Sequence, residues 1–322
     1  MSESESNGSA SAAIVRASGW QSLRRWYDTG GASAPLDPSR ADRIDWLRAA
    51  PFVLLHLGCL AALWTGVSRT ALAVAVASYA VRMFAITAFY HRCFSHRTFR
   101  APRAVQFLFA LIGAACVQRG PLWWAAHHRN HHRDADTSED PHSPLMRGVL
   151  WSHMGWFLTR RAFRTDLKRV SDLARFPELR WLDRYDIAVP VALAAALYSL
   201  GALLRHIAPQ LGTDGPQLLV WGFCISTIAL FHATVTINSL AHRWGSRRFE
   251  TRDESRNNFL LALITFGEGW HNNHHRFPGT ARQGFRWWEI DLTWYGLRLL
   301  AALGLISGLK APPARVLEAA ER

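Results

Sequence analysis

Four long apolar stretches constrain this chain more than any other feature. They run from about Ala50 to Val67, Thr70 to Tyr90, Ile187 to Leu204 and Leu218 to Ile237. Each approaches the roughly 17–25 mainly apolar residues that a helix needs to cross a hydrocarbon layer about 30 Å thick. A lipid-spanning segment must satisfy its own backbone groups, so four such stretches predict an all-α integral membrane protein with four transmembrane helices. Only Ser68 and Arg69 separate the first pair, which therefore reads as a hairpin, and Pro209, Gly212, Gly215 and Pro216 mark the loop joining the last pair. Two shorter apolar segments are ambiguous. Ala104–Val117 follows Pro102 and reads as re-entrant or interfacial, and Tyr295–Leu309 as a helix lying on the membrane surface.

The mean hydropathy of −0.02 averages these spans with arginine-rich polar regions. Among the 322 residues, 37 are Lys or Arg and 24 Asp or Glu, a formal net charge of +13. Because the basic residues fall between apolar spans, an anionic membrane face suits them better than nucleic acid. The 68–69 turn and the 205–217 loop carry one arginine each. Apart from Arg82 within the second span, the rest lie in the N-terminal tail, in 91–186 and after Ala241. The excess of positive charge in cytoplasmic loops then puts both termini and the middle segment in the cytoplasm. The Ala-rich, arginine-for-lysine composition is that of a GC-rich bacterial genome, so a bacterial inner membrane is the expected location. Arg82, a costly charge at that depth, predicts a structural partner inside the bundle.

Residues 1–40 are rich in Ser, Ala and Gly and lack the apolar core of a secretory signal. The expected organisation is a disordered cytoplasmic tail over 1–45, one membrane domain over 46–310 and a short tail over 311–322. Cys59, Cys93, Cys116 and Cys224 show no paired spacing and read as reduced thiols.

The chain has 15 histidines, unevenly placed. His91 and His96 (HRCFSH) directly follow the second span, and His242 (NSLAH) follows the fourth. His128, His131 and His132 lie in HHRNHH; His271, His274 and His275 lie in HNNHH. On a helix, positions i, i+3 and i+4 share a face, so each HxxHH points three imidazoles the same way. A transition metal takes about four to six ligands, so nine nitrogens imply two metals, and imidazole suits Zn, Fe, Cu or Ni. His56, His206 and His232 read as ordinary surface or core residues, His127 as lying off the triplet's face, and His142 and His153 as groups behind the ligands. Asp136, Asp140 and Glu268 are candidates to orient the imidazoles, or else plain surface charges. Thr234, Asn238 and His242, spaced by four, share one helical face.

HRCFSHR, HHRNHH with the following DTSEDPHSP, NSLAH and GEGWHNNHHRFP together resemble the signatures of the stearoyl-CoA (Δ9 acyl) desaturase family, over about residues 50–295. The resemblance implies a cap at the cytoplasmic ends of the spans in which the nine histidines bind two irons, with Asn238 contributing through a water. It implies O2 as co-substrate and a cis double bond, at Δ9, in a long-chain acyl substrate, favouring acyl-CoA. It matches Gln118, Trp124 and Thr234 to positions that bend the acyl tunnel, and Arg160 and Arg161 to a basic pair that contacts coenzyme A phosphates. Lipid headgroups are the competing partner of those arginines. Trp123, Trp151 and Trp156 are expected either in the tunnel wall or in an interfacial aromatic belt. His127 departs from the animal relatives, which carry an acid there. No electron-carrying module is evident, so a separate donor such as ferredoxin, cytochrome b5 or a flavoprotein reductase is implied. A related membrane hydroxylase and a non-catalytic metal-binding membrane protein are the alternatives.

Overall fold

The computed structural model describes residues 20, 24, 26–31 and 41–321. Four helices have the length and composition to cross a membrane: Trp46–Thr65 (α1), Arg69–Ser95 (α2), Ala188–Ile207 (α6) and Gly215–Ser239 (α7). The hairpin turn between the first two forms because Gly66 takes a positive φ of 63° and Ser68 caps α2 by accepting from the Ala71 amide at 3.0 Å. Along α1, α2 and α6 the outward side chains, among them Leu54, Leu63, Trp64, Val76 and Leu203, are exposed. In water such a surface would aggregate; a bilayer covers it. Among the described residues there are helices and isolated bridges only.

The two hairpins bring the start of α1, the end of α2, the start of α6 and the end of α7 to one side. There the intervening segments build a cap from Pro121–Asp134 (α4), Pro177–Arg184 (α5), Phe259–Ile264 (α8), His271–Arg276 (α9) and Leu292–Ala302 (α10). The ambiguous segment after Pro102 becomes α3, Arg103–Ala114, about 18 Å long at 1.5 Å per residue and too short to cross. It packs tightly on the end of α2: Tyr90 donates to the Ala110 carbonyl at 3.0 Å, and a Cβ on Gly113 would lie 2.3 Å from the Tyr90 ring.

The last apolar segment differs from its expected range. α10 starts earlier, because Asp291 caps it by accepting from the Trp294 amide, and stops at Ala302, shortly before Gly304 turns the chain with φ 71°. It is docked against α2, where Thr293 and Thr87 share a 2.6 Å hydrogen bond. The tails differ too. Much of 1–45 lies outside the described residues, yet Asp28 is clamped by Arg184 at 2.8 Å, and 41–45 runs antiparallel to 158–161 through Asp45 N to Leu158 O and Arg160 N to Arg43 O. Those stretches are held because their backbone and charged groups find partners on the cap. The C-terminal tail carries a helix, Ala314–Glu321.

Arg82 is buried in the bundle, and its partners are neutral oxygens: the Ser78 and Ala115 carbonyls and the Ser226 and Thr227 hydroxyls. Dipoles from three elements are therefore the partners of this arginine inside the bundle. His56 and His232 are likewise not isolated. His56 Nε2 meets His232 Nε2 at 3.1 Å, His232 Nδ1 meets His153 Nε2 at 3.0 Å, and His153 Nδ1 meets Ser239 Oγ at 2.9 Å. This file ties α1, α7 and the cap together. It also corrects the expectation that His153 stands behind a metal ligand, since both its ring nitrogens are engaged elsewhere.

Candidate metal centre

The first histidine pair shows how local backbone geometry builds the site. In an α-helix, residues five apart point about 140° away from each other. Here the end of α2, Ala85–Ser95, is a π-helix, whose wider turn bonds i to i+5. The His96 amide bonds the His91 carbonyl at 3.2 Å, and the two rings come within 4.9 Å of each other. The second cluster rides on α4, begun by Pro121 at its first position, and the third on the short α9.

Nine imidazoles converge into two groups. His91, His96, His128, His132 and His274 form one, and His131, His242, His271 and His275 the other, with the ligand atoms of each group within 4.8 Å of one another. Sharing a helical face does not place the three rings of an HxxHH in one group. Each triplet is split: His128 and His132 join the first group while His131 joins the second, and His274 joins the first while His271 and His275 join the second. The small angular offsets along one helical face are enough to aim neighbouring rings at different centres.

Four carboxylates stand behind the rings. Asp136 meets His242 Nδ1 at 2.8 Å, Asp140 meets His131 Nδ1 at 3.0 Å, Asp253 meets His275 Nδ1 at 2.9 Å and Glu268 meets His91 Nδ1 at 2.6 Å. A neutral imidazole has one N–H, and giving it to a carboxylate turns the other nitrogen's lone pair inward. The Nε2 atoms of these rings and of their neighbours lie close together, as in His96–His128 at 2.7 Å, His132–His274 at 2.9 Å, and His91–His274 and His242–His271 at 3.0 Å. Among the described residues, the buried His275 Nε2 has no hydrogen-bond partner. Converging lone pairs repel one another unless a cation lies among them, so this donor set fits a pair of metal ions.

Electrostatics favour neutral, ligand-ready rings at six of the nine positions; at His131 burial lowers the imidazole, but the charge and hydrogen bond of Asp140 outweigh it and hold the ring above the ordinary range. Burial, helped by mutual repulsion, holds His96, His128, His132, His271 and His274 well below the ordinary imidazole range, and takes His275 to about 4. Burial pushes the carboxyl of Asp136 up, but its hydrogen bond and charge interaction with His242 bring it down to about 2. Asp140 and Asp253 are driven lower still by their histidines. His142 lies behind this layer, 3.3 Å from Asp140 with its ring 4.5 Å from that of His131. His127 points away, to the Ala162 carbonyl at 3.1 Å.

Asp253 is the residue the sequence reading missed. It sits in a charged TRDESR loop whose only signal was acidity, which many surface loops share. Replacing it with asparagine should weaken metal binding about 10–100-fold, the usual effect of losing an orienting partner. Metal retention against a competing chelator measures this, and retention equal to that of the parent protein would remove Asp253 from the site.

Beside the two groups runs a cavity of about 1200 Å³, including its open mouth, lined by Gln118, Trp124, Thr234, His128 and Asn238 among others. Gln118 Nε2 donates to Thr234 Oγ1 at 3.1 Å and Trp124 Nε1 to Gln118 Oε1 at 3.4 Å, so these three expected residues meet at one point. A smaller cavity of about 490 Å³, lined by Met83, Ile86 and Ile237 on one hand and by His91, His131, Glu268 and His271 on the other, shares Trp124, His128, Thr234 and Asn238 with it. Together they pass both histidine groups. Trp123 and Trp156 stack in the larger cavity's wall, whereas Trp151 turns to the Pro141 carbonyl. Arg160 and Arg161 do not line the cavity. Their backbone amides are pinned to Arg43 and Ala41, both side chains are exposed, and Arg161 pairs with Asp42; Arg48 and Arg119 line the cavity instead.

The family model for fatty acid desaturases matches residues 68–305. A sn-1 stearoyl-lipid 9-desaturase of Anabaena variabilis is 36% identical over 275 residues, covering 84% of this chain and 96% of that protein. An icosanoyl-CoA 5-desaturase of Limnanthes douglasii is 40% identical over 220 residues, 66% of this chain and 57% of its own length. A chloroplastic palmitoyl-monogalactosyldiacylglycerol delta-7 desaturase of Arabidopsis thaliana is 39% identical over 219 residues, 66% of this chain and 55% of that protein. The match therefore spans little more than half the length of these two plant relatives.

Proposed function

We propose that this chain, which belongs to the fatty acid desaturase family, is an O2-dependent acyl desaturase that introduces a cis double bond, at Δ9, into a long acyl chain carried on coenzyme A. The observation that carries this reading is the pair of histidine groups set beside two cavities that share Trp124, His128, Thr234 and Asn238. Two iron ions held by the nine histidines would supply the oxygen activation needed to take hydrogen from an unactivated methylene, which acid–base side chains cannot do. In this reading His91, His96, His128, His132 and His274 hold one ion. His131, His242, His271 and His275 hold the other, with Asn238 completing it through a water.

The remaining residues do the positioning. Asp136, Asp140, Asp253 and Glu268 fix which nitrogen of each partner ring faces inward. Gln118, Trp124 and Thr234 hold the bend of the path beside His128, where the acyl chain must kink to present adjacent methylenes. Trp123, Trp156 and Phe231 exclude water from the wall. Electrons come from a separate protein, such as a ferredoxin, a cytochrome b5 or a flavoprotein reductase, docking on the arginine-rich cap. The proposed location is a bacterial inner membrane, with both termini on the cytoplasmic side by the distribution of arginine.

The test is expression in cells lacking a desaturase of their own, followed by fatty-acid chromatography with double-bond location. A 9-monounsaturated product is expected. Hydroxylated chains, or a saturated profile with the metal loaded and a reductase supplied, would refute the reading.

A further inference from the structure

Arg82 stands at a joint of the membrane bundle. Its side chain is 3% exposed and donates to three elements at once: the Ser78 carbonyl on α2, the Ala115 carbonyl just past α3, and the Ser226 and Thr227 hydroxyls on α7. The tie to the end of α3 is double, because the Cys116 thiol donates to the Arg82 carbonyl at 3.5 Å. None of the four acceptors carries a charge, and a cation inside a span is costly and marks a functional position. Holding helices together needs no such charge, since apolar side chains of similar size do so at lower cost.

The chain that leaves Ala115 is strained. Val117 and Arg119 take positive φ values of 59° and 69°, a region that costs every side chain and a β-branched one most. Such backbone persists only where its surroundings over-determine it. Here both ends are fixed. Arg82 holds Ala115, while the Arg119 guanidinium lies 2.9 Å from Asp186 and donates to the Phe163 carbonyl at 3.0 Å. Between the two twisted residues, Gln118 is aimed at Thr234 and Trp124. Thr234 lies on α7 roughly two turns, or 10 Å, beyond Thr227, and α2 runs on from Arg82 to His91. The elements that carry His91, Gln118 and Thr234 therefore all meet at one guanidinium.

We propose that Arg82 is a positioning residue that decides which methylenes of the acyl chain are desaturated. By fixing Ala115 against Thr227, it sets where the Gln118–Thr234 contact stands relative to His91, and so where along its length the acyl chain kinks. The inference rests on the acyl-desaturase reading and deepens it by naming a determinant of double-bond position. The acceptors of the planar fork lie on three elements, so none of these can slide without breaking a bond to the others. A misplacement of about 1 Å is enough to misalign reacting atoms, at a cost of about 10²-fold in rate. A neighbouring methylene then competes for the same position.

The assignment is tested on the full-length protein in cells lacking a desaturase of their own, by fatty-acid chromatography with double-bond location. Arg82→Met removes the fork, and Thr227→Val removes one acceptor with little change of shape. In both, isomers displaced from the parent's principal position should rise at least tenfold as a share of the product, with iron content equal to the parent's. Arg82→Lys, a point donor without the fork, should fall between Arg82→Met and the parent. Because the effect runs through Gln118, adding Arg82→Met to Gln118→Leu should displace no more product than Gln118→Leu alone. A role in stability alone would lower the melting temperature and the yield while leaving the isomer ratio where it was. An unchanged ratio in iron-loaded Arg82→Met overturns the assignment; should that variant not load iron, an unchanged ratio in Thr227→Val does so. A displacement that simply adds to that of Gln118→Leu overturns it as well. A parent that makes no unsaturated product removes the desaturase reading, and this inference falls with it.

Discussion

Replacing His274 with alanine is expected to abolish unsaturated product and to release the metal of the first group. His274 Nε2 lies 3.0 Å from His91 Nε2 and 2.9 Å from His132 Nε2, so its ring occupies the middle of that donor set. Truncation removes one of five nitrogens and leaves a buried void where the others converge. Replacing His131, whose Nδ1 is held by the fully buried Asp140, should do the same to the second group of four. Both variants are to be read by iron content per chain and by product in cells without their own desaturase. Full desaturation by either one would sink the ligand assignment. Because the two groups share the α4 and α9 backbones, each variant should also loosen metal at the neighbouring group.

The largest expected effect on stability comes from Arg92, in the wide-turned end of α2. Its side chain is fully buried and donates to the Ala281 carbonyl at 2.7 Å and to Asp291 at 3.0 Å, while Nη2 lies 3.1 Å from Glu268. Glu268 in turn holds His91, so the arginine links the first histidine pair to the loops on both sides of α9. Arg92→Met should destabilise the protein by about 3–5 kcal/mol, because it leaves two carboxylates buried without their cation. Thermal unfolding in detergent measures the loss. Adding Glu268→Gln and Asp291→Asn to Arg92→Met should recover part of it, since the stranded charges are then gone. A melting temperature equal to the parent's in Arg92→Met would show that the ion pairs do not hold the cap.

Much of this was legible along the chain because it depends on local quantities. Whether a segment can cross a bilayer depends on its own length and apolarity, so all four spans were visible, with ends shifted by a few residues. HxxHH spacing is likewise local, and it sufficed to collect six of the nine imidazoles. Gln118 and Trp124 emerged only through resemblance, Thr234 also from its spacing with Asn238 and His242, and the structure brings the three together by hydrogen bonds across separations of up to 116 residues.

The histidine clusters with which the sequence marked its chemistry were thus determined by sequence alone in number, type and placement at the span ends. Tertiary structure decided how they are shared. His91 and His96 face each other because α2 widens into a π-helix as it enters the cap, a backbone choice that five-residue spacing does not encode. His131 and His132, adjacent in the chain, belong to different groups because α4 lies between rings supplied by the end of α2, the turn after α7 and α9. Asp253 comes to stand behind His275, and Arg160 and Arg161 fall outside the cavity lining, for the same reason. A side chain's partner is set by the placement of separate elements relative to one another, which long-range packing fixes and local sequence spacing does not.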